Sequence, residues 1–374
     1  MRLQARHRTS APLEAVSSQR RVDALKAAAA SPRGALTASS RRSSPGGVGA
    51  LTALTAALFA MGCGAEFDPP HKVTSLRVLG VQKDKPYAKP GDDVTLSLLW
   101  HDSSEQAPRP VQVAWYSGCF NPPGDLYYGC FEALSGGGGN VGLGEQHTVS
   151  IPSDIISSRP PPRDPELVPY GLSYVFFAVC AGQLGPAPAE QGFPVACFDD
   201  QGKQLGADDF VAGYSGIYAY DTFENQNPVI TGFEFNGRVV EPDCIGAECL
   251  SNPPAPSDDC SRVACVDSCA DDGDPTCPGI AFRPLISSSV AEVDDIALVS
   301  EGRNLTEQMW VNYYIEDGGL KSSVRLLNDA TKGWNEDFGT EYYAPKQPGD
   351  YKLWAVARDN RGGSEWIRIT VRVR

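Results

Sequence analysis

Short alternating runs, each cut off by glycine or proline, most constrain what this chain can become. Val94, Leu96, Leu98 and Trp100 fall on one face of an extended segment that follows a Pro90-Gly91-Asp92 turn. Successive side chains of a strand point to opposite faces, so this spacing predicts a half-buried strand. Val111, Val113 and Trp115 repeat the pattern, and Leu172 to Cys180 is a longer apolar run suited to the middle of a sheet. With 38 glycines and 30 prolines in 374 residues, long helical periodicity has little room to develop. The expectation is an all-β protein.

The first 62 residues follow different rules. Arg41 and Arg42 precede an apolar stretch, Val48 to Gly62, of 15 residues. A membrane-spanning helix needs about 20. A basic flank, a short apolar core and a small residue before a cut site instead match an export signal. Cys63 stands at that site, and Leu58-Phe59-Ala60-Met61-Gly62-Cys63 resembles the lipobox of bacterial lipoproteins. The resemblance implies a leader over 1–62 and a lipidated tether over 63–72. Cys63 would carry the acyl chains, palmitate among them, that hold the protein to a membrane. Each buried methylene contributes ~0.8 kcal/mol, so several chains on one residue anchor durably. Gly64 rather than Asp after the cysteine implies, by the same analogy, the outer membrane of a cell envelope.

Ten further cysteines follow: Cys119, Cys130, Cys180, Cys197, Cys244, Cys249, Cys260, Cys265, Cys269 and Cys277. An even number in an exported chain reads as five disulfides. Cys119 and Cys130 flank a Pro-Pro-Gly turn, and Cys180 and Cys197 flank a Gly/Pro-rich loop, so both are expected to pair locally. The last six crowd into an insert, 243–278, that is too polar to bury a core of its own, and their pairing stays open.

Length and turn spacing suggest two domains, 73–224 and 225–374, with a boundary at Asn225-Gln226-Asn227-Pro228. The strand order of the first resembles immunoglobulin-like sandwiches, with Trp115 in the place of their core tryptophan. Pro348-Gly349-Asp350-Tyr351, running on to Asp359-Asn360-Arg361-Gly362-Gly363, resembles the last hairpin of PKD-type and related Ig-like domains. The implied fold is two Ig-like β-sandwiches in tandem, the second carrying the disulfide insert. Positive φ is expected at Gly362 or Gly363.

Charge narrows the function. The formal net charge is −14. Residues 1–62 hold nine Lys/Arg and two acids, so the rest of the chain has 23 basic and 44 acidic residues, a net of −21. Such a chain has no electrostatic footprint for nucleic acid.

Catalytic patterns fail one by one. Gly213-Tyr214-Ser215-Gly216 lacks the glycine two after serine that a nucleophile elbow needs, and reads as a loop. His101-Asp102-Ser103 reads as a polar turn, because adjacent residues cannot converge as a triad does. Asp267, Asp271, Asp272 and Asp274 are the one calcium candidate. Their order does not match an EF-hand loop, and a solvated acidic turn is expected instead. No cofactor and no other metal is expected.

Trp310, Tyr313, Tyr314, Trp334, Tyr342, Tyr343, Trp354 and Trp366 all lie in the second domain. Trp354 and Trp366 alternate onto the hairpin face opposite its core residues, and are the candidate binding face. The expected function is a lipid-anchored, non-enzymatic envelope or surface protein, serving in adhesion, scaffolding or partner binding. Its partner would be an envelope protein or a glycan. The alternative is a polysaccharide- or peptidoglycan-binding lipoprotein that uses the second domain's aromatics. A third reading, a hydrolase without a visible site, is disfavoured by four histidines and the failed motifs.

Overall fold

A computed structural model describes residues 69–374, except 132–138, 163, 165–166, 189–192, 251–256 and 270–275. The leader, Cys63 and most of the tether lie outside the described residues.

The alternating runs pair as their patterns require. One sheet takes the order Leu76–Lys83 (β1), Asp93–Asp102 (β3), Gln146–Ser150 (β6). The other takes the order Tyr87–Ala88 (β2), Phe210–Ala219 (β10), Gly171–Cys180 (β7), Gln112–Phe120 (β4), Asn140–Leu143 (β5). Val94, Leu96 and Leu98 point inward from β3 and meet Val113, Trp115, Val175 and Val179 from the facing sheet. Trp115 is fully buried. The apolar run of β7 is central, flanked by β10 and β4. A small hairpin, Gln183–Pro186 (β8) with Val195–Phe198 (β9), stands beside this sandwich.

The second half repeats the plan. Arg238–Val240 (β12), Gly232–Phe235 (β11), Ile280–Leu285 (β15), Thr340–Tyr343 (β20) and Gly319–Leu320 (β17) form one sheet in that order. The other runs Cys244–Ile245 (β13), Ser364–Val373 (β22), Gly349–Asp359 (β21), Met309–Ile315 (β16), Val324–Asp329 (β18), Gly333–Trp334 (β19). Asn236 and Gly237, both at positive φ, make the tight turn between β11 and β12. Gly362, at φ 93°, serves the β21–β22 turn. Ile367, Ile369, Val371 and Val373 line the core from β22. A short helix, Asp295–Glu301 (α1), begins at an Asp294 cap and ends at Gly302. In each half the first, second and fifth main strands oppose the third, sixth and seventh, which is the immunoglobulin-like arrangement. The protein is thus all-β, built of two Ig-like sandwiches.

The cysteine-rich insert docks on an edge. Cys244–Ile245 pairs antiparallel with one part of β22, and Ala264–Val266 (β14) pairs parallel with another. The insert thereby covers the last strand of the sheet, and Ala264 and Val266 join the core.

The two sandwiches share a third apolar cluster. Leu79 and Leu99, on the outer faces of β1 and β3, meet Trp354, Val356 and Trp366, on the outer face of the β21–β22 hairpin. This corrects the expected binding face. Trp354 and Trp366 do lie opposite the hairpin core, but they are 1% and 0% exposed because the first sandwich covers them. Gly80 leaves room for the Trp366 indole, since a Cβ there would lie 3.2 Å from its ring. The indole N–H donates to Gly246 O at 2.7 Å, tying the insert into the same junction. Residues Phe67–Arg374 accordingly form one compact unit.

Candidate functional site: the tyrosine face of the first sandwich

The outer face of the β10-β7-β4-β5 sheet is the exposed aromatic surface that the second domain was expected to supply. Strand register places Val141, Tyr116, Phe176 and Tyr214 side by side across four strands. Tyr174 lies beside Gly216 in a neighbouring row. Residues of one face recur every second position, so Tyr214, Gly216 and Tyr218 share this face of β10.

A loop supplies the rest. The Cys119–Cys130 disulfide ties the end of β4 to a pair of 3-10 turns, Pro123–Asp125 and Tyr127–Gly129. Asn121 fixes the loop base. Its amide donates to Ile155 O at 2.6 Å and its carbonyl accepts from Leu172 N at 3.0 Å. Asp125 holds the middle, accepting from Arg159 at 3.0 Å and from the Tyr170 hydroxyl at 2.6 Å. Burial raises the pKa of that carboxyl, but these hydrogen bonds outweigh burial and hold it below the usual carboxylate range. Arg159 also lies 4.4 Å from the Tyr170 ring centre, within cation–π range.

The result is a set of rings held at fixed angles. Tyr127 stacks on Tyr214 at 4.5 Å and 18°, and Tyr174 meets Tyr214 edge-on at 5.5 Å. Tyr218, Tyr170 and Tyr220 form a cluster, with ring centres 5.6, 6.1 and 6.5 Å apart. Burial, then neighbouring phenols, raise the Tyr174 pKa, so the hydroxyl stays a donor at neutral pH. Tyr127, Tyr128, Tyr214 and Tyr218 remain between 38% and 58% exposed. A groove of 810 Å³ passes over Tyr174, Tyr214, Gly216 and Tyr218, and the tip of the β21–β22 hairpin forms its far wall.

That wall is charged but internally satisfied. Lys83, fully buried, donates to Gly216 O at 2.9 Å. Burial brings its pKa down to about 8, against the opposing pull of Asp359. Asp359 accepts from Arg361 N and Gly363 N at 2.7 and 2.8 Å, and from the Asn225 amide at 3.2 Å. Arg361 in turn pairs with Glu292 and Glu307 at 2.6 and 3.2 Å. Asp359 thereby ties the hairpin tip to the 225–227 connection, whose Asn227 donates to Lys83 O of the first half at 2.7 Å.

The other candidate residues are placed as follows. Five disulfides form: Cys119–Cys130, Cys180–Cys197, Cys244–Cys249, Cys260–Cys265 and Cys269–Cys277. The first two are the local pairs expected, and the insert's six cysteines also pair with their neighbours in sequence. Such a set belongs to an oxidising, non-cytoplasmic compartment. Asp271, Asp272 and Asp274 lie outside the described residues. Among the described residues no group of three His, Cys, Asp or Glu is gathered to hold a metal, and no helix is long and apolar enough to cross a membrane.

Gly213-Tyr214-Ser215-Gly216 is not a loop but the middle of β10. A Cβ on Gly213 would lie 2.4 Å from the Phe177 ring, which explains that glycine by packing. His101 and Asp102 end β3 rather than forming a turn. His101 Nε2 sits 2.6 Å from Glu316 in the second sandwich, while Asp102 pairs with Arg109 at 2.6 Å.

The tyrosine face escaped the sequence reading because its members are scattered over β4, β7, β10 and a loop. One signal was available: Tyr214, Gly216 and Tyr218 alternate, as do Tyr174 and Phe176, on strands whose other face is also apolar.

No family model matches the chain, and no curated protein matches it in sequence. Solved structures similar to it include the fibronectin(III)-like modules of Clostridium thermocellum CbhA, at 9% identity and TM-score 0.18 over 79% of this chain and 93% of that one. The tandem Ig repeats of Dlar show 10% identity and TM-score 0.21 over 80% and 98%. The FN1–FN3 domains of chicken CNTN1 show 10% and 0.17 over 82% and 65%. At such TM-scores no equivalence of residues follows. The strand pairing itself makes each half an Ig-like sandwich.

Proposed function

We propose that the chain is an exported, lipid-anchored protein of a bacterial envelope, seated at the outer membrane by Cys63, that works as a non-enzymatic binding module in adhesion or scaffolding. The observation that carries this reading is the fusion of two sandwiches through a buried junction, which leaves the tyrosine face of the first as the exposed aromatic surface. A rigid two-domain body on a short tether holds such a face at a set distance from a membrane. The polysaccharide reading that placed the site on Trp354 and Trp366 is withdrawn, since both are buried.

Two measurements test the proposal. Radiolabelled palmitate should enter the expressed protein and be absent from Cys63→Ser. Photo-cross-linking in intact producing cells, with a probe at Tyr128, should capture envelope material, whereas a probe at Trp354 should capture none. An unlabelled wild type overturns the anchor, and equal capture at both positions overturns the binding face.

A further inference from the structure

We infer that the tyrosine face is a subsite for an uncharged oligosaccharide chain, laid along β10 from Tyr214 to Tyr218. The inference rests on the proposed binding role and adds the chemical class of the ligand.

Tyr214 and Tyr218 project from the same face of one strand, four residues apart. At a rise of about 3.3 Å per residue they stand ~13 Å apart, the reach of a short linear polymer. Gly216 lies between them and carries no side chain, so the surface dips where a ligand would cross. A Cβ there would find its nearest neighbours at 3.7 Å, an ordinary contact, so packing does not demand this glycine. Two ring platforms with a low floor between them suit a chain of flat, partly apolar units that also carry hydroxyls. Phenol rings offer both an apolar face and a polar edge for such a ligand.

Charge argues for a neutral ligand. The exposed members, Leu126, Tyr127, Tyr128, Tyr214 and Tyr218, carry none. The ion pair between Arg159 and Asp125 at the rim is closed on itself at 3.0 Å. Lys83, Asp359 and Arg361 behind the groove are likewise committed to partners. Among the described residues an anionic polymer therefore finds no free cation here, and a basic peptide finds no free carboxylate.

Backbone pairing argues against an extended peptide at this position. One edge of β10 is filled by β7; on the other, β2 pairs at Tyr218 and Ala219 and the Lys83 ammonium takes Gly216 O, so no continuous ladder can run along Tyr214–Tyr218. Side-chain stacking is what remains. Among the described residues no hydrogen bond occupies the hydroxyls of Tyr127, Tyr128, Tyr214 or Tyr218, which leaves them for ligand hydroxyls.

Calorimetric titration of the full chain with cellohexaose, mannohexaose and chitohexaose, beside polygalacturonate as the anionic control, tests this. At least one neutral hexasaccharide should bind. Tyr214→Ala and Tyr128→Ala should each weaken it about tenfold, the size expected for one lost aromatic contact. Tyr214→Phe should keep most of the affinity, since the ring remains. Tyr128 stands on the loop, so its variant tests the face without disturbing a strand. Binding of polygalacturonate alone, binding that ignores both alanine variants, or no binding by any neutral hexasaccharide overturns the inference. Capture of an envelope protein at Tyr128 in the cross-linking experiment, with no glycan bound, would sink the inference and leave the binding role standing.

Discussion

Glu307 is 1% exposed at the junction, yet it is a carboxylate. Burial first, and the nearby charge of Asp359 second, push its pKa up to about 7, although Arg361 and the Glu292 amide favour the ionised form. The folded protein therefore keeps a proton that the unfolded chain releases near 4.5. Where the native state binds more protons, stability falls as pH rises. That window runs from about pH 4.5 to about pH 7. Urea unfolding at pH 5 and at pH 7.5 should show a loss on the order of 2–3 kcal/mol from this group in the wild type. Glu307→Gln should remove most of that loss, since an amide does not titrate. An identical pH slope in both proteins would show that the shift belongs elsewhere. None of this was legible in the sequence, where Glu307 follows Thr306 as an ordinary polar residue. Its burial depends on Arg361, 54 positions away.

At the scale of elements, the 120–131 loop shows how a local covalent bond positions a surface. Cys119 and Cys130 are 11 residues apart. A cross-link of that span contributes about 3 kcal/mol in the chain-entropy account, less any strain. Its structural effect is specific, because it delivers Tyr127 onto Tyr214. The double variant Cys119→Ala with Cys130→Ala should lose about that stability. It should also become more open to chymotrypsin at Tyr127 and Tyr128, whose backbone the intact loop holds in a 3-10 turn. Retained protection would mean that Asn121 and Asp125 hold the loop unaided. The pairing itself was readable, since the two cysteines bracket a Pro-Pro-Gly turn. So were β3, β7 and the β21–β22 hairpin, whose alternation matches their buried faces. Loop contacts of Tyr127 were not, because no period links a loop residue to the strand it covers.

For the molecule as a whole, the junction decides how the halves behave. Ser364 Oγ donates to Val81 O at 2.9 Å, and Gln82 donates to Ser364 O at 2.8 Å. Asn227 donates to Lys83 O at 2.7 Å and accepts from Ser364 N at 2.9 Å. With Trp354 and Trp366 sealed beneath these bonds, the two sandwiches should unfold together. Calorimetry should give one transition with matching calorimetric and van't Hoff enthalpies. Trp366→Ala removes a fully buried indole from between them, at a cost of about 3–5 kcal/mol, and should split the trace into two. A single transition in the variant would mean that the polar contacts suffice to couple the halves.

Local pattern sufficed for the strands, their inward faces, a glycine turn at Gly362 or Gly363 and the nearest-neighbour logic of the first two disulfides. Each of these depends on residues close along the chain, through the two-residue period of a strand or the geometry of a short turn. Which apolar face stays bare was decided only when the sandwiches packed. Trp366 and Tyr214 both point away from their own cores, and local pattern cannot separate them. Docking of β1 and β3 on the β21–β22 hairpin buries the tryptophan and leaves the tyrosine at the surface. That outcome depends on shape and contacts between segments nearly 300 residues apart.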